Sequence, residues 1–159
     1  MSANHTVLLH NIRSTQNVGA IFRTADALGV GKIWLTGYTP RPLDRFGRPD
    51  TKIAKTALGA ELTTPWDYRK DPVALLARLK KEGGVVVGVE QDKRAVDYKT
   101  YAPGKDEKTV LVMGNEVRGL SKSLRGKCAF LLELPMKGKK ESLNVSVAFG
   151  IVAYQIWDR

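Results

Sequence analysis

This sequence predicts an open α/β fold built on a parallel sheet, and three observations carry the prediction. Residues 6–12, 32–37, 84–90, 109–114 and 128–134 are short apolar runs of strand length. The third of them, GVVVGVE, has the near-continuous apolar character of a strand buried on both faces, as parallel sheets require. Between the first two runs lies a segment of helical period, which makes a β-α-β unit with parallel strands.

Each element has a local reason. TVLLHNI (6–12) is followed by Ser14 and Thr15, either of which can cap a helix. From Gln16 the apolar residues Val18, Ile21, Phe22, Ala25 and Leu28 recur at helical spacing, and Gly29 is a natural stop. KIWLTG (32–37) is the second strand. Residues 38–51, with Pro40, Pro42, Gly47 and Pro49, form a loop too polar to pack and too long for a turn, a kind of segment that is often functional. Lys52–Leu58 suits a short helix and Pro72–Glu82 (PVALLARLKKE) an amphipathic one, leading into strand 84–90. Strands 109–114 and 128–134 follow, with one or two helical turns at Ser121–Arg125 between them. Pro135 keeps Leu134 extended, so the last strand ends sharply. A closing helix over 142–157 puts Leu143, Val147 and Ile151 on one side, Val145, Phe149, Ala153 and Trp157 on another, and Ser142, Ser146 and Gly150 in a small-residue row that admits another backbone. Ligands of such folds sit beyond the carboxyl ends of the strands.

Composition narrows the function. At 159 residues and 43% hydrophobic content the chain is expected to be one domain, 1–159, with a core that needs no staples. No window approaches about 18 consecutive apolar residues, and MSANHTVLLHNI lacks the basic start of a leader, so a cytoplasmic protein without a membrane span is expected. The single Cys128 excludes an internal disulfide and reads as a buried strand residue; with only His5 and His10 as further soft ligands, no metal site is expected. The net charge of +10 favours a polyanionic partner, although many small basic proteins bind none. No segment pairs a basic face with a Trp, Phe or Leu face, which disfavours a membrane surface and leaves nucleic acid. The cations gather in two loops, Arg41, Arg45, Arg48, Lys52 and Lys55 in one and Lys137, Lys139 and Lys140 in the other.

Three segments combine Gly or Pro with side chains suited to chemistry. In NIRSTQNVGAIFRTAD (11–26), Asn17 lies in the first helical turn, and Gly19, four residues before Arg23, clears space beside it. The plain alternative is a surface Arg23–Asp26 pair worth about 0.3 kcal/mol. In VMGNEVRGLS (112–121), Gly114 to Gly119 imitates a phosphate-binding P-loop, but Leu120 stands where that motif needs Lys, which excludes the nucleoside triphosphatases. Gly114 permits close approach of a ligand, and Glu116 is the carboxylate at that strand end. In PMKGKKESLNVSVAFG (135–150), a helix start that needs one capping side chain offers Ser142, Asn144 and Ser146. Asn144 is expected in a crowded place, where an unpaired amide would cost about 1–3 kcal/mol.

Together NVGAIFRTA, MGNEVRGLS and LPMKGKKESLNVSVAFGI resemble, in order and spacing, the three signature motifs of the SpoU or TrmH class of SPOUT RNA methyltransferases, and the resemblance covers nearly the whole chain. It implies a parallel-sheet SPOUT (α/β knot) fold with a deep trefoil knot in the C-terminal half, a homodimer, and methyl transfer from S-adenosylmethionine to a ribose 2′-hydroxyl of tRNA or rRNA, with no metal. The positions that match the family's functional residues are Arg23, Asn17, Glu116, Ser142 and Asn144. Its cofactor is held largely by backbone, which points to Gly114, Leu134 and Leu143, with Val89 at the preceding strand end and Met136 lining the pocket. The family proposal gives the hydroxyl proton to Arg23 with help from an RNA phosphate. A guanidinium is normally too basic for that, so Arg23 is read as orienting phosphate, with the role of base left as the alternative. Asn17, Ser142 and Asn144 hold the hydroxyl and phosphate, and Glu116 fixes Arg23 or the loops. Motif-one residues of this family face the cofactor of the partner subunit, which would make the small-residue row a dimer contact. Arg45, Arg48, Lys139 and Lys140 are expected on RNA phosphates, and the core is expected to have no separate RNA-binding extension. A non-catalytic RNA-binding or ribosome-associated protein would explain the charge but not Asn17, Arg23, Glu116 and Asn144 together. A base methyltransferase of the same superfamily fits less well with an Arg in the first motif and SLN in the third.

Overall fold

The computed structural model describes residues 4–159; the expected absence of a leader rests partly on residues 1–3, outside that range. Seven strands form one parallel sheet: β1 (His5–His10), β2 (Lys32–Thr36), β3 (Trp66–Arg69), β4 (Gly84–Val89), β5 (Val96–Asp97), β6 (Lys108–Met113) and β7 (Phe130–Glu133). Their order is β3-β2-β1-β6-β4-β7-β5. Around them run α1 (Thr15–Ala27), α2 (Thr51–Ala57), α3 (Ala60–Thr63), α4 (Pro72–Lys81), α5 (Lys122–Lys127) and α6 (Val145–Trp157).

Side-chain alternation divides the core into two layers. Val7 and Leu9 of β1, Val87 of β4 and Leu111 and Met113 of β6 pack with α1, α2 and α6. Leu8, Val86, Val110 and Val112 point the other way, onto Leu75, Leu76 and Leu79 of α4 and Leu124 of α5. The central strands are thus apolar at consecutive positions because both faces are covered.

Four local features differ from the sequence reading. The two edge strands β3 and β5 carry no apolar run; WDYR is half-exposed and VD is only a residue pair, so neither shows a periodicity. The closing helix starts at Val145, with Asn144 as its cap, because the Asn144 side chain accepts from the backbone N–H of Ser146 and Val147. Ser142 therefore precedes the helix and the row Ser142, Ser146, Gly150 does not exist as a helical face. Helix α5 likewise begins after its cap Ser121, and Cys128 ends that helix rather than opening β7. Cys128 is buried, its thiol 3.3 Å from the Leu124 carbonyl, and burial pushes its pKa up to about 11. Among the described residues no helix is long and apolar enough to cross a membrane.

Candidate functional site

At the carboxyl ends of β4, β6 and β7, three loops meet the start of α1 and enclose a cavity. The loop after β6 is a closed turn. The Asn115 side-chain carbonyl accepts from the N–H of Val117 (2.9 Å) and Arg118 (2.8 Å), and the Asn115 backbone carbonyl accepts from Gly119 N–H (2.9 Å). A Cβ on Gly114 would lie 2.7 Å from the Gly119 carbonyl carbon. Gly114 thus allows the two arms of its own turn to meet, which corrects the expectation that its smallness serves a ligand directly. Gly119 has φ +65° and faces the Glu90 carboxylate. Glu90 accepts from Leu120 N–H (2.6 Å), tying the loop after β4 to the turn. Gln91 donates to the Glu141 carbonyl (2.6 Å) and ties in the loop after β7.

Glu116 joins this assembly to α1. One carboxylate oxygen accepts from Arg13 N–H (2.8 Å), the other from Ser14 N–H (2.8 Å) and the Asn17 amide (3.1 Å). Asn17 in turn accepts from the Asn144 amide (3.1 Å), whose own oxygen caps α6. A continuous line, Glu116–Asn17–Asn144, therefore crosses from the second motif through the first to the third. Partial burial raises the Glu116 pKa, but the N–H donors of Arg13 and Ser14 and the Asn17 amide outweigh it and hold the carboxyl below its ordinary value. Glu116 is accordingly a fixed anion with both oxygens in use, and a weak base.

The structure brings most of the candidate residues together. Val89, Gly114, Leu134, Met136 and Leu143 line the cavity, as do Glu116 and Ser142. Asn17 and Asn144 stand behind it through Glu116. Arg23 is elsewhere: exposed on the next turns of α1, it borders a separate depression with Ala20, Lys55, Leu58 and Tyr154. It has no contact with Glu116, whose role falls on the loops. Nor does it pair with Asp26, which accepts instead from the Thr63 hydroxyl (2.8 Å). Gly19 does not clear space for Arg23 either; it is buried where α2 crosses, and a Cβ there would lie 1.9 Å from the Thr56 hydroxyl and 2.5 Å from the Ile53 carbonyl. Asn144 is exposed and satisfied rather than crowded.

The two basic loops are exposed. Arg48 pairs with Asp44 (2.7 Å), and Arg45 and Arg48 sit 4.8 and 5.0 Å from the ring of Phe46. Lys139 and Lys140 lie in the loop that ends at Ser142. Glu90 and Asn115 escaped the sequence reading although Glu90 immediately follows β4 and Asn115 lies two residues past the end of β6; an Asn four residues before a turn Gly was the available signal for Asn115. Among the described residues no cluster of three metal-ligating side chains occurs.

Comparison with known proteins identifies the family and agrees with the fold. The family model described as SpoU rRNA Methylase family matches residues 4–154. The 23S rRNA (guanosine-2'-O-)-methyltransferase RlmB of Pseudomonas aeruginosa is 35% identical over 150 residues, 93% of this chain and 56% of that protein. The AdoMet-bound rRNA methyltransferase structure from Sinorhizobium meliloti superposes with a TM-score of 0.86 at 29% identity, covering 98% of this chain and 56% of that one. A structure concerned with 2-OH methylation of C/U34 on tRNA superposes with a TM-score of 0.76 at 26% identity, covering 95% of this chain and 92% of that one. The chain thus spans little more than half the length of the curated relatives it matches. With a family model matched over nearly its whole length and the fold of solved family members, this chain belongs to the SpoU rRNA methylase family.

Proposed function

We propose that this chain methylates a ribose 2′-hydroxyl of tRNA or rRNA, with S-adenosylmethionine as methyl donor, as a cytoplasmic homodimer of single domains. The observation that carries the reading is the one cavity in which residues of the second and third motifs line the wall and those of the first brace it, through the line Glu116–Asn17–Asn144. Family membership and the names of the relatives support it.

The cavity fits the donor. Val89, Leu134, Met136 and Leu143 offer an apolar bed for a purine, and the ionised Glu116 at its wall complements a sulfonium cation. Bound there, S-adenosylmethionine supplies an electrophilic methyl group. The protein's own task is to hold the ribose hydroxyl in line and accept the loss of its proton. Glu116 holds the loops in register, Ser142 and Asn144 address the ribose, and Arg23 orients an RNA phosphate from the partner subunit. Two features support the dimer. Arg23 lies outside its own chain's cavity, and Val147 (49% exposed), Ile151 (38%) and Tyr154 (44%) make an uncovered apolar stripe on α6 next to it. The trefoil knot of this reading belongs to the C-terminal half, the part of the chain that contributes β6, α5, β7 and α6.

Calorimetry tests the reading. The purified protein binds S-adenosylmethionine saturably, and Arg23→Ala keeps that affinity while losing methyl transfer to tRNA or rRNA. Absence of cofactor binding by the wild type sinks the enzyme reading, and normal turnover by Arg23→Ala removes that residue from the chemistry.

A further inference from the structure

A second cavity lies on the other side of the Asn115–Arg118 turn. It is open, about 560 Å³, and lined by Arg13, Tyr38, Asn115, Val117 and Arg118. The last three also line the cofactor-side cavity, so one turn of chain is the wall between the two.

That wall is built rigidly. Asn115, only 7% exposed, donates its amide to the Asn11 carbonyl and to the Tyr38 hydroxyl, both at 2.9 Å. The backbone N–H of Arg118 is held by the Asn115 side chain and that of Arg13 by Glu116, each at 2.8 Å. Both guanidiniums therefore spring from fixed bases. Neither has an ion pair among the described residues; the nearby Glu116 carboxylate is an anion held by the backbone N–H groups of Arg13 and Ser14 and by the Asn17 amide, and pairs with neither guanidinium. Tyr38 is fixed at both ends, its N–H on the Asn11 side chain (3.0 Å) and its hydroxyl under Asn115. Yet Tyr38 is 57% exposed, and Val117 at the rim 83%. Because the Tyr38 hydroxyl accepts from Asn115, its own proton is free to be donated.

Two guanidiniums outside any ion pair among the described residues, a phenol with a free proton and an exposed apolar rim form a donor set for a phosphate joined to a sugar and a base. We infer that this cavity receives a nucleotide of the substrate RNA strand flanking the one methylated, with Arg13 and Arg118 on its phosphate and Tyr38 against its sugar or base. The inference rests on the RNA methyltransferase reading and adds to it a subsite separate from the basic loops. A strand lying there crosses the Asn115–Arg118 turn, so its neighbouring ribose is presented to the cavity beyond. The bracing of both arginines by the residues that shape the cofactor cavity would also make RNA seating and cofactor binding structurally connected.

The test uses a single-stranded ten-residue RNA of mixed sequence, S-adenosylmethionine, and guanosine 5′-monophosphate as a free nucleotide. Arg13→Ala lowers the slope of log K against log salt for the RNA by about 0.7, and Arg13→Ala with Arg118→Ala by about twice that. Tyr38→Ala weakens RNA binding about tenfold with an unchanged slope. Neither Arg13→Ala nor Tyr38→Ala changes S-adenosylmethionine affinity more than twofold, which also verifies that they fold. Arg45, Arg48, Lys139 and Lys140 replaced together serve as the reference for lost phosphate contacts. Unchanged slope and affinity in the Arg13 and Tyr38 variants, with cofactor binding intact, overturn the subsite and leave the enzyme reading standing. Tight binding of free guanosine 5′-monophosphate that depends on Arg13 and does not compete with the RNA also overturns it, in favour of a small-ligand site. Failure of the wild type to bind both S-adenosylmethionine and RNA overturns the subsite together with the reading beneath it.

Discussion

Single residues hold this site together more by hydrogen bonding than by packing, and Glu116 is the clearest case. Three donors from Arg13, Ser14 and Asn17 converge on its carboxylate and keep it below the ordinary value of 4.5. A carboxyl depressed on folding stabilises the protein fully above its unfolded pKa and loses that contribution as pH falls through the folded one. Glu116→Gln should therefore cost about 1–3 kcal/mol near neutrality, and the gap to wild type should close in acid below pH 4.5, which urea unfolding across pH measures. A gap that persists in acid would refute the charge-based account. Gly19 is a steric case. Alanine usually gains about 1 kcal/mol over glycine within a helix, but here a Cβ would meet the Ile53 carbonyl at 2.5 Å. Overpacking of that kind costs about 1–3 kcal/mol, so Gly19→Ala should lower the melting temperature rather than raise it. Both residues stand out in the sequence, but their partners do not: the donors to Glu116 are about a hundred positions away, and the backbone that touches Gly19 belongs to the short helix expected at 52–58, whose crossing of α1 no local pattern indicates.

Elements were legible in proportion to their burial. Strands β1, β4 and β6 announce themselves because both faces are covered and each carries a run of consecutive apolar residues, Val7–Leu9, Val85–Val87 and Val110–Met113. Strands β3 and β5 lie at the sheet edges, where hydrogen bonds to one neighbour suffice and composition is free. The start of α6 was misplaced by three residues for a related reason. Ser142 and Asn144 are both good caps, and only the tertiary partner Asn17 decides between them. Asn144→Ala removes the cap, at about 1 kcal/mol, and also leaves the Asn17 oxygen unpaired in a site only 9% exposed, at about 1–3 kcal/mol more. Asn144→Ser restores the first loss and not the second. Thermal unfolding of the pair should place the Ser variant between wild type and Ala; equal stability of Ser and wild type would show that the bond to Asn17 contributes nothing.

At the scale of the whole molecule, the position of Arg23 asks for a second subunit. The cavity, its loops and its bracing line are complete within one chain, whereas Arg23 faces away beside the uncovered stripe Val147, Ile151 and Tyr154. The motifs allowed all five functional candidates to be named, but sequence order cannot tell which of them meet inside one chain, because Arg23 is only six positions from Asn17 and points to another face. If the dimer proposed here places Arg23 of one subunit at the cavity of the other, Arg23→Ala and Glu116→Ala are each inactive alone but complement each other. A mixed dimer has one cavity with Glu116 intact and Arg23 supplied across the interface, and one cavity lacking both. Random assortment of equal amounts makes half the dimers mixed, so the mixture should recover about a quarter of wild-type methyl transfer. Were Arg23 to serve its own chain, both cavities of the mixed dimer would lack one residue and activity would stay at the level of the single variants. Subunit exchange is verified separately by differently tagged chains, so that no recovery in a mixture shown to contain mixed dimers counts against the arrangement.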